Sequence, residues 1–256
     1  MPVLFVGHGN PMNAIEQNEF TNQWKIIGQT IPKPTSILCI SAHWETRGTK
    51  LTAMPLPKTI HDFGGFPKEL FAVEYPAVGN PKLALEISNH IEQPKASLDN
   101  SDWGLDHGTW SVLNHIYPNA NIPVVQMSLN ILQTPLYHYE LAKQLAFLRS
   151  NGVLIIGSGN LVHNLGLIDW RNLNSGHDWA MEANDKMISF IDNGNHKALI
   201  DFKNQGKSFD LAIPTPEHFL PLIYILALQE NGEAITFFNN KLTMGSLSMT
   251  GMLIGK

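Results

Sequence analysis

Four short apolar runs, at residues 3–6, 36–41, 122–128 and 153–157, recur along the chain with helical patterns between them, and no other feature restricts the fold so strongly. Runs of this length, rich in Val, Ile and Leu and closed by turn-forming residues, read as strands buried on both faces. The segments between them carry helix starts. Asn80-Pro81 opens a stretch with Leu83, Ile87 and Ile91 on one face, and Thr134-Pro135 opens another that runs toward Arg149 and stops before Gly152. Proline at the first helical position loses no hydrogen bond, and the Asn or Thr before it can cap free N–H groups. Further along, 178–192 and 216–229 read as helices and 234–238 and 247–254 as late strands. Residues 55–79, with several prolines and glycines, read as a long loop or irregular insertion. The alternation predicts an α/β fold, a single domain whose central, mostly parallel or mixed sheet is flanked by helices on both faces.

With 256 residues and no linker, internal repeat or low-complexity tract, the chain is expected to form one domain over 1–256. A net charge of -5 and the lack of any Lys/Arg cluster exclude the basic footprint of a nucleic-acid binder. Cys39 is the only cysteine, which rules out an intrachain disulfide, a zinc ribbon and an iron–sulfur site; between Leu38 and Ile40 it reads as a space-filling core thiol. The chain opens without a basic segment followed by an apolar stretch, and no apolar run is long enough for a bilayer. A cytoplasmic protein with no membrane partner is expected. Nothing in the sequence sets an oligomeric state.

The 11 histidines sort by their surroundings. His8 follows the first strand in "FVGHGNP", His43 the second in "ISAHWE", and His163 lies a few residues beyond another in "GSGNLVHN". His218 stands at the start of a helix marked by two prolines, in "PTPEHFLPL". In open α/β sheets the ligand crevice forms beyond the carboxyl ends of the strands, so four imidazoles could meet there. Neutral imidazole binds zinc, iron, copper and nickel, and three such donors leave positions open for substrate. Gly7, Gly9, Gly157 and Gly159 would let the backbone approach an ion or take positive φ. His90, His115, His138 and His196 lie in or beside helical patterns and read as structural, and His177 as a capping-region residue. His61 in "TIHDFGGFP" and His107 in "GLDHGTW" share Gly-containing loops with aromatic residues, a setting suited to a ring-shaped ligand. Trp44, Trp103, Trp110, Phe63 and Phe66 are candidates to stack on such a ring.

Taken together, "GHGNP", "SAHWE", "HDFGGFP", "GLDHGTW", "GSGNLVHN" and "PTPEHFLPL" resemble the DOPA 4,5-dioxygenase family of bacteria and plants. These are class III extradiol ring-cleaving dioxygenases, related to the catalytic subunit of protocatechuate 4,5-dioxygenase. The resemblance implies one divalent metal ion per chain, ferrous iron for turnover and zinc as isolated, with a catechol and O2 as small-molecule partners. It implies His8, His43 and His218 as metal ligands and His163 as the acid/base residue, close enough to be a fourth zinc contact. His107 and His61 would line the substrate side. The wider superfamily uses two histidines and a glutamate, and Glu217 stands beside His218, so Glu217 is the alternative third ligand. Two other readings fit the same histidines: a zinc hydrolase, although HExxH is absent, and a non-catalytic ligand-binding relative.

Overall fold

Each central strand divides its side chains between two separate cores. In the computed structural model, which describes residues 1–92 and 95–255, β1 (Val3–Gly7) sends Val3 and Phe5 into one core and Leu4 and Val6 into the other. Along β2 (Ser36–Thr46), Leu38 and Ile40 join the first core while Ile37 and Cys39 join the second. Burial on both faces is the reason these runs are almost continuously apolar. Cys39 is part of that packing: Thr109 Oγ1 donates to its sulfur at 3.3 Å, and burial pushes the thiol up to about 12. It is inert filling, not a nucleophile.

The sheet is completed by β3 (Lys50–Thr52), β4 (Ser97–Asp99), β5 (Val124–Asn130), β6 (Val153–Gly159), β7 (Ile235–Phe238) and β8 (Gly251–Ile254). Its order is β4, β3, β5, β2, β6, β1, β8, β7. The middle four strands are parallel, β8 and β7 extend one side antiparallel, and β3 meets β5 antiparallel while pairing parallel with β4. The sheet is therefore mixed around a parallel centre. Among the described residues, the helices of eight or more residues are α1 (Glu19–Thr30), α2 (Pro81–His90), α3 (His107–Ile116), α4 (Pro135–Lys143), α5 (Asp178–Asp192) and α6 (Leu220–Ala227). Trp24 and Ile27 of α1, with Trp110 and Leu113 of α3, cover the Cys39 face; α2, α4, α5 and α6 cover the other. None of them is long and apolar enough to cross a membrane.

Asn80 and Thr134 cap α2 and α4 through their side chains, as their sequence settings predict. The segment after Pro135 is not one helix: α4 ends at Lys143, and a short helix, Phe147–Ser150, follows a turn. Nor does the helix expected from residue 216 begin there. Residues 216–219 form a turn in which the N–H groups of Phe219 and Leu220 both bond to Pro216 O, and α6 starts at Leu220 with Pro221 in its first turn. The stretch 247–254 also divides, since Leu247–Ser248 pairs with Leu242–Thr243 in a separate ribbon before the chain enters β8. Residues 55–79 contain a strand, Lys58–Thr59, and one helical turn, Lys68–Phe71.

Candidate metal centre

The carboxyl ends of β1, β2 and β6 open into a cavity of about 390 Å³, within the usual size of small-molecule sites, and five histidines stand at its floor. His8 directly follows β1; its N–H bonds Gly159 O at 3.0 Å, and Asn13 Nδ2 bonds its carbonyl at 3.0 Å. His43 lies within β2, not beyond it, at an irregularity where pairing with β5 slips between Ile40 and Glu45. Such bulges re-aim side chains. His163 N bonds Ala212 O at 2.9 Å, and His218 O accepts from Asn160 N at 2.8 Å, which ties the turn before α6 to the end of β6. A Cβ at Gly159 would collide with that carbonyl, and one at Gly157 would meet Pro221 O at 2.5 Å. These glycines thus let the α6 end approach β6, while Gly9, at φ +63, supplies the turn after His8.

The rings converge. Centroids of His8 and His43 are 5.0 Å apart, those of His43 and His218 5.0 Å, and those of His8 and His218 5.3 Å. His163 stacks on His218 at 3.4 Å with 6° between the planes, and His107 lies 3.9 Å from His43.

Four of the five rings have a partner on Nδ1, which determines where their protons sit. Ser158 Oγ spends its hydrogen on Gly108 O at 2.5 Å, so it accepts from His8 Nδ1–H at 3.0 Å. Glu217 Oε1 accepts from His218 Nδ1–H at 3.0 Å and from Thr215 Oγ1 at 2.9 Å. Asp62 Oδ2 accepts from His107 Nδ1–H at 2.9 Å and faces His43 Nδ1 at 3.3 Å, while Asp62 Oδ1 takes the His107 backbone N–H at 2.9 Å. Carboxylates only accept, so the nitrogens turned to them carry hydrogens. Nε2 of His8, His43, His107 and His218 is left as a bare lone pair.

His8 Nε2 and His43 Nε2 face each other at 3.2 Å. Two lone pairs at that distance repel unless a cation lies between them. Two nitrogens each about 2.05 Å from one ion at the tetrahedral angle would be about 3.3 Å apart, so the donor set fits a metal. Burial, followed by the neighbouring imidazoles, lowers His8 and His218 well below the ordinary histidine range and His43 to about 3. All three are neutral at neutral pH, the form that binds metals. Burial raises Asp62, yet the His107 hydrogen bond and the facing histidines outweigh this and hold it below the usual carboxylate range.

Residues 3–250 match the family described as the catalytic LigB subunit of aromatic ring-opening dioxygenase. The chain belongs to this family. It is 42% identical over 258 residues, all of this chain and 95% of the relative, to a protein of Escherichia coli K12 named 4,5-DOPA dioxygenase extradiol. A Beta vulgaris protein of the same name is 36% identical, with 93% of this chain and 90% of that one covered. The crystal structure of an uncharacterized protein from Escherichia coli K12 superposes with a TM-score of 0.87 at 38% identity, covering both chains fully. The protein is thus an aromatic ring-opening dioxygenase of a metal-dependent family.

The structure brings together His8, His43, His107, His163 and His218, but His61 stands apart. Its Nε2 lies 3.0 Å from Val73 O, and its ring packs on Phe63, Phe71 and Trp110 outside the cavity wall. Of the aromatics singled out in the sequence, Phe63 and Phe66 line the cavity. Trp44 instead stacks on Trp103, and buried Trp110 donates to Ile60 O. Asp62 and Ser158, which orient the rings, had no separate signal in the sequence; Asp62 is recognisable only as the neighbour of His61. Beneath them lies buried Asp106, which caps α3 and accepts from Ser41 Oγ at 2.7 Å and from Gln126 Nε2. Burial, then the charge of Asp62, raises Asp106 to about 6.

Proposed function

We propose that this chain opens the ring of a catechol such as DOPA with molecular oxygen, breaking the carbon–carbon bond beside the diol. His8, His43 and His218 would hold one divalent metal, and His163 would act as acid and base. DOPA enters as the first substrate to assay because relatives carry its name. One observation supports the ligand assignment: Nδ1 of each of the three rings faces an acceptor, which leaves each Nε2 lone pair free, and the ring centroids lie 5.0 to 5.3 Å from one another on the cavity floor. Ferrous iron is proposed for turnover and zinc for the purified protein, since an all-imidazole set accepts either. When bound, the ion supplies a shared coordination site for diol and dioxygen, with charge passing between them. One catechol and one O2 give one ring-opened semialdehyde that keeps both oxygen atoms, so no external reductant is consumed.

His163 is suited to proton transfer because, among the described residues, neither of its ring nitrogens bonds to another side chain, although it lines the cavity. Burial holds it at about 4, so it enters the reaction neutral. From there it can take a proton from one substrate hydroxyl and return it to an oxygen derived from O2 as the O–O bond breaks. His107 Nε2, with Nδ1–H held by Asp62, is an acceptor for the second hydroxyl. A zinc hydrolase would need a free carboxylate as its base, whereas Glu217 is engaged by His218 and Thr215.

The test is oxygen uptake on adding air to Fe(II)-reconstituted protein with L-DOPA or caffeate, together with a new visible absorption band from the semialdehyde. Failure with every catechol would overturn the proposal. His163→Ala should retain metal and lose roughly 10² to 10⁴ in turnover. Loss of metal in that variant would instead make His163 a ligand.

A further inference from the structure

From His8 to Pro11 the chain runs up the cavity wall from floor to mouth: His8 is 2% exposed, Gly9 is buried, and Asn10 and Pro11 are half-buried. Asn10 stands two residues on from His8, so the two backbones lie within about 7 Å of each other. Above the histidines the wall is chiefly apolar, built from Phe63, Phe66, Leu165, Ile168, Trp170 and Met244, and among the described residues no lysine or arginine lines it. The wall's carboxylate, Asp62, has both oxygens engaged by His107. Among the described residues, Asn10 is the one other polar side chain there besides the histidines. Its amide is oriented by the backbone. Met12 N–H can only donate, so the atom it meets at 2.9 Å is Oδ1, which caps the short helix Pro11–Ala14. Nδ2 keeps both hydrogens, and among the described residues it has no hydrogen-bond partner and is not sealed from solvent.

A few placed polar groups in an apolar pocket determine which ligand fits and which way round it lies. With the diol at the histidines, a substituent on the ring leaves past Asn10 toward the mouth. Leu165 and Trp170 are 62% and 65% exposed at that rim, so a charged group there keeps much of its water, and an amide donor adds to this hydration without having to replace it. An ionised oxygen gains most from an N–H donor. We infer that Asn10 sets specificity by donating from Nδ2 to a carboxylate on the ring substituent, so that this enzyme favours catechols with an acidic side chain, whether or not an amino group stands beside the acid. This deepens the ring-opening reading and rests on it for placing the diol at the histidines; the recognition of the acid comes from the oriented amide.

Dihydrocaffeate, L-DOPA and 4-propylcatechol share the ring, and only the first two carry a carboxylate. Their affinities are measured by calorimetry, without oxygen, on the zinc-loaded unsubstituted protein and on zinc-loaded Asn10→Asp and Asn10→Ser. Both variants keep an oxygen that can cap Met12 N–H. Asn10→Asp puts a negative oxygen where the donor stood, and Asn10→Ser shortens the side chain and takes the amide away. The quantity read is the affinity for each acid divided by that for 4-propylcatechol. It should fall at least about tenfold in Asn10→Asp, where like charges meet, and at least about threefold in Asn10→Ser. A ratio unmoved in either variant would overturn the inference: in Asn10→Ser it would show that the amide gives the acid nothing, and in Asn10→Asp that the acid does not come near residue 10. Oxygen uptake by the ferrous protein is read separately. Should the ratios fall as stated while no catechol consumes oxygen, the assignment of Asn10 stands and the ring-opening proposal falls.

Discussion

At the scale of single residues, the candidate centre is governed as much by what holds the imidazoles as by the imidazoles themselves. Ser158 is the clearest case, because its one hydrogen is committed to Gly108 O and its lone pair therefore fixes the tautomer of His8. Ser158→Ala removes that acceptor, frees His8 to rotate or change tautomer, and leaves Gly108 O without its donor. Zinc affinity should fall by about 10- to 100-fold, the usual effect of losing a partner that orients a metal-binding histidine. A competition titration against a chromogenic chelator reads this directly, and an unchanged affinity would mean His8 does not need the serine. Glu217 and His218 separate by the same measurement. Glu217→Gln retains an oxygen that can accept from His218 Nδ1–H, so metal should stay, whereas His218→Ala should lose it. The opposite pattern would make Glu217 the third ligand.

At the scale of elements, the centre depends on how closely the turn before α6 approaches the end of β6. Gly159 allows it, since any side chain there would strike His218 O. Gly159→Ala should destabilise the protein by about 1–3 kcal/mol, the range for overpacking, and should also weaken zinc binding because His218 is pushed from its position. Gly64→Ala, with no atom near its would-be Cβ and an ordinary φ, is the control and should do neither. Urea midpoints and zinc stoichiometry together decide this; a stable Gly159→Ala with full zinc would show that the turn can shift freely. The same elements show what was legible beforehand. The strand runs and the caps at Asn80 and Thr134 stood out because burial on two faces and proline-marked starts leave local signatures. His8, His163 and His218 stand out because glycine or proline punctuates their surroundings, and His43 because it ends an apolar run. Helix α3 carries no such mark, since it is buried on nearly every side, and α1, where Asn18 and Thr21 form a capping box, is not among the helices read from the sequence. Ser158 and Asp62 were illegible as site residues because their roles come from neighbours 50 and 45 residues away, Gly108 and His107.

For the whole molecule, burying so many imidazoles ties stability to pH. His43, His163 and His138 are held at about 3, 4 and 4, and His8 and His218 lie well below the ordinary value, burial being the leading cause for each. In the unfolded chain these rings titrate near 6.5. Between about pH 6.5 and 4 the unfolded state therefore binds more protons than the folded one, so stability is full above the unfolded value and drains away as pH falls through that window. Asp106 works the other way, because its folded value of about 6 lies above the unfolded one, and the folded state holds its extra proton between about pH 4 and 6. Asp106 and Glu45, the latter also raised by burial, oppose five imidazoles, and the imidazoles prevail. Each net proton changes stability by about 1.4 kcal/mol per pH unit, so a net uptake of about four on unfolding near pH 5 amounts to about 5 kcal/mol per unit, comparable with the whole stability of many domains. The urea midpoint of metal-stripped protein should accordingly collapse between pH 6.5 and 5, whereas excess zinc, binding only the folded form, should raise it at every pH in that window. A midpoint that stays flat or rises on acidification would mean that the cluster carries charge in the folded state, and a zinc-independent midpoint would mean that the rings do not converge on a metal.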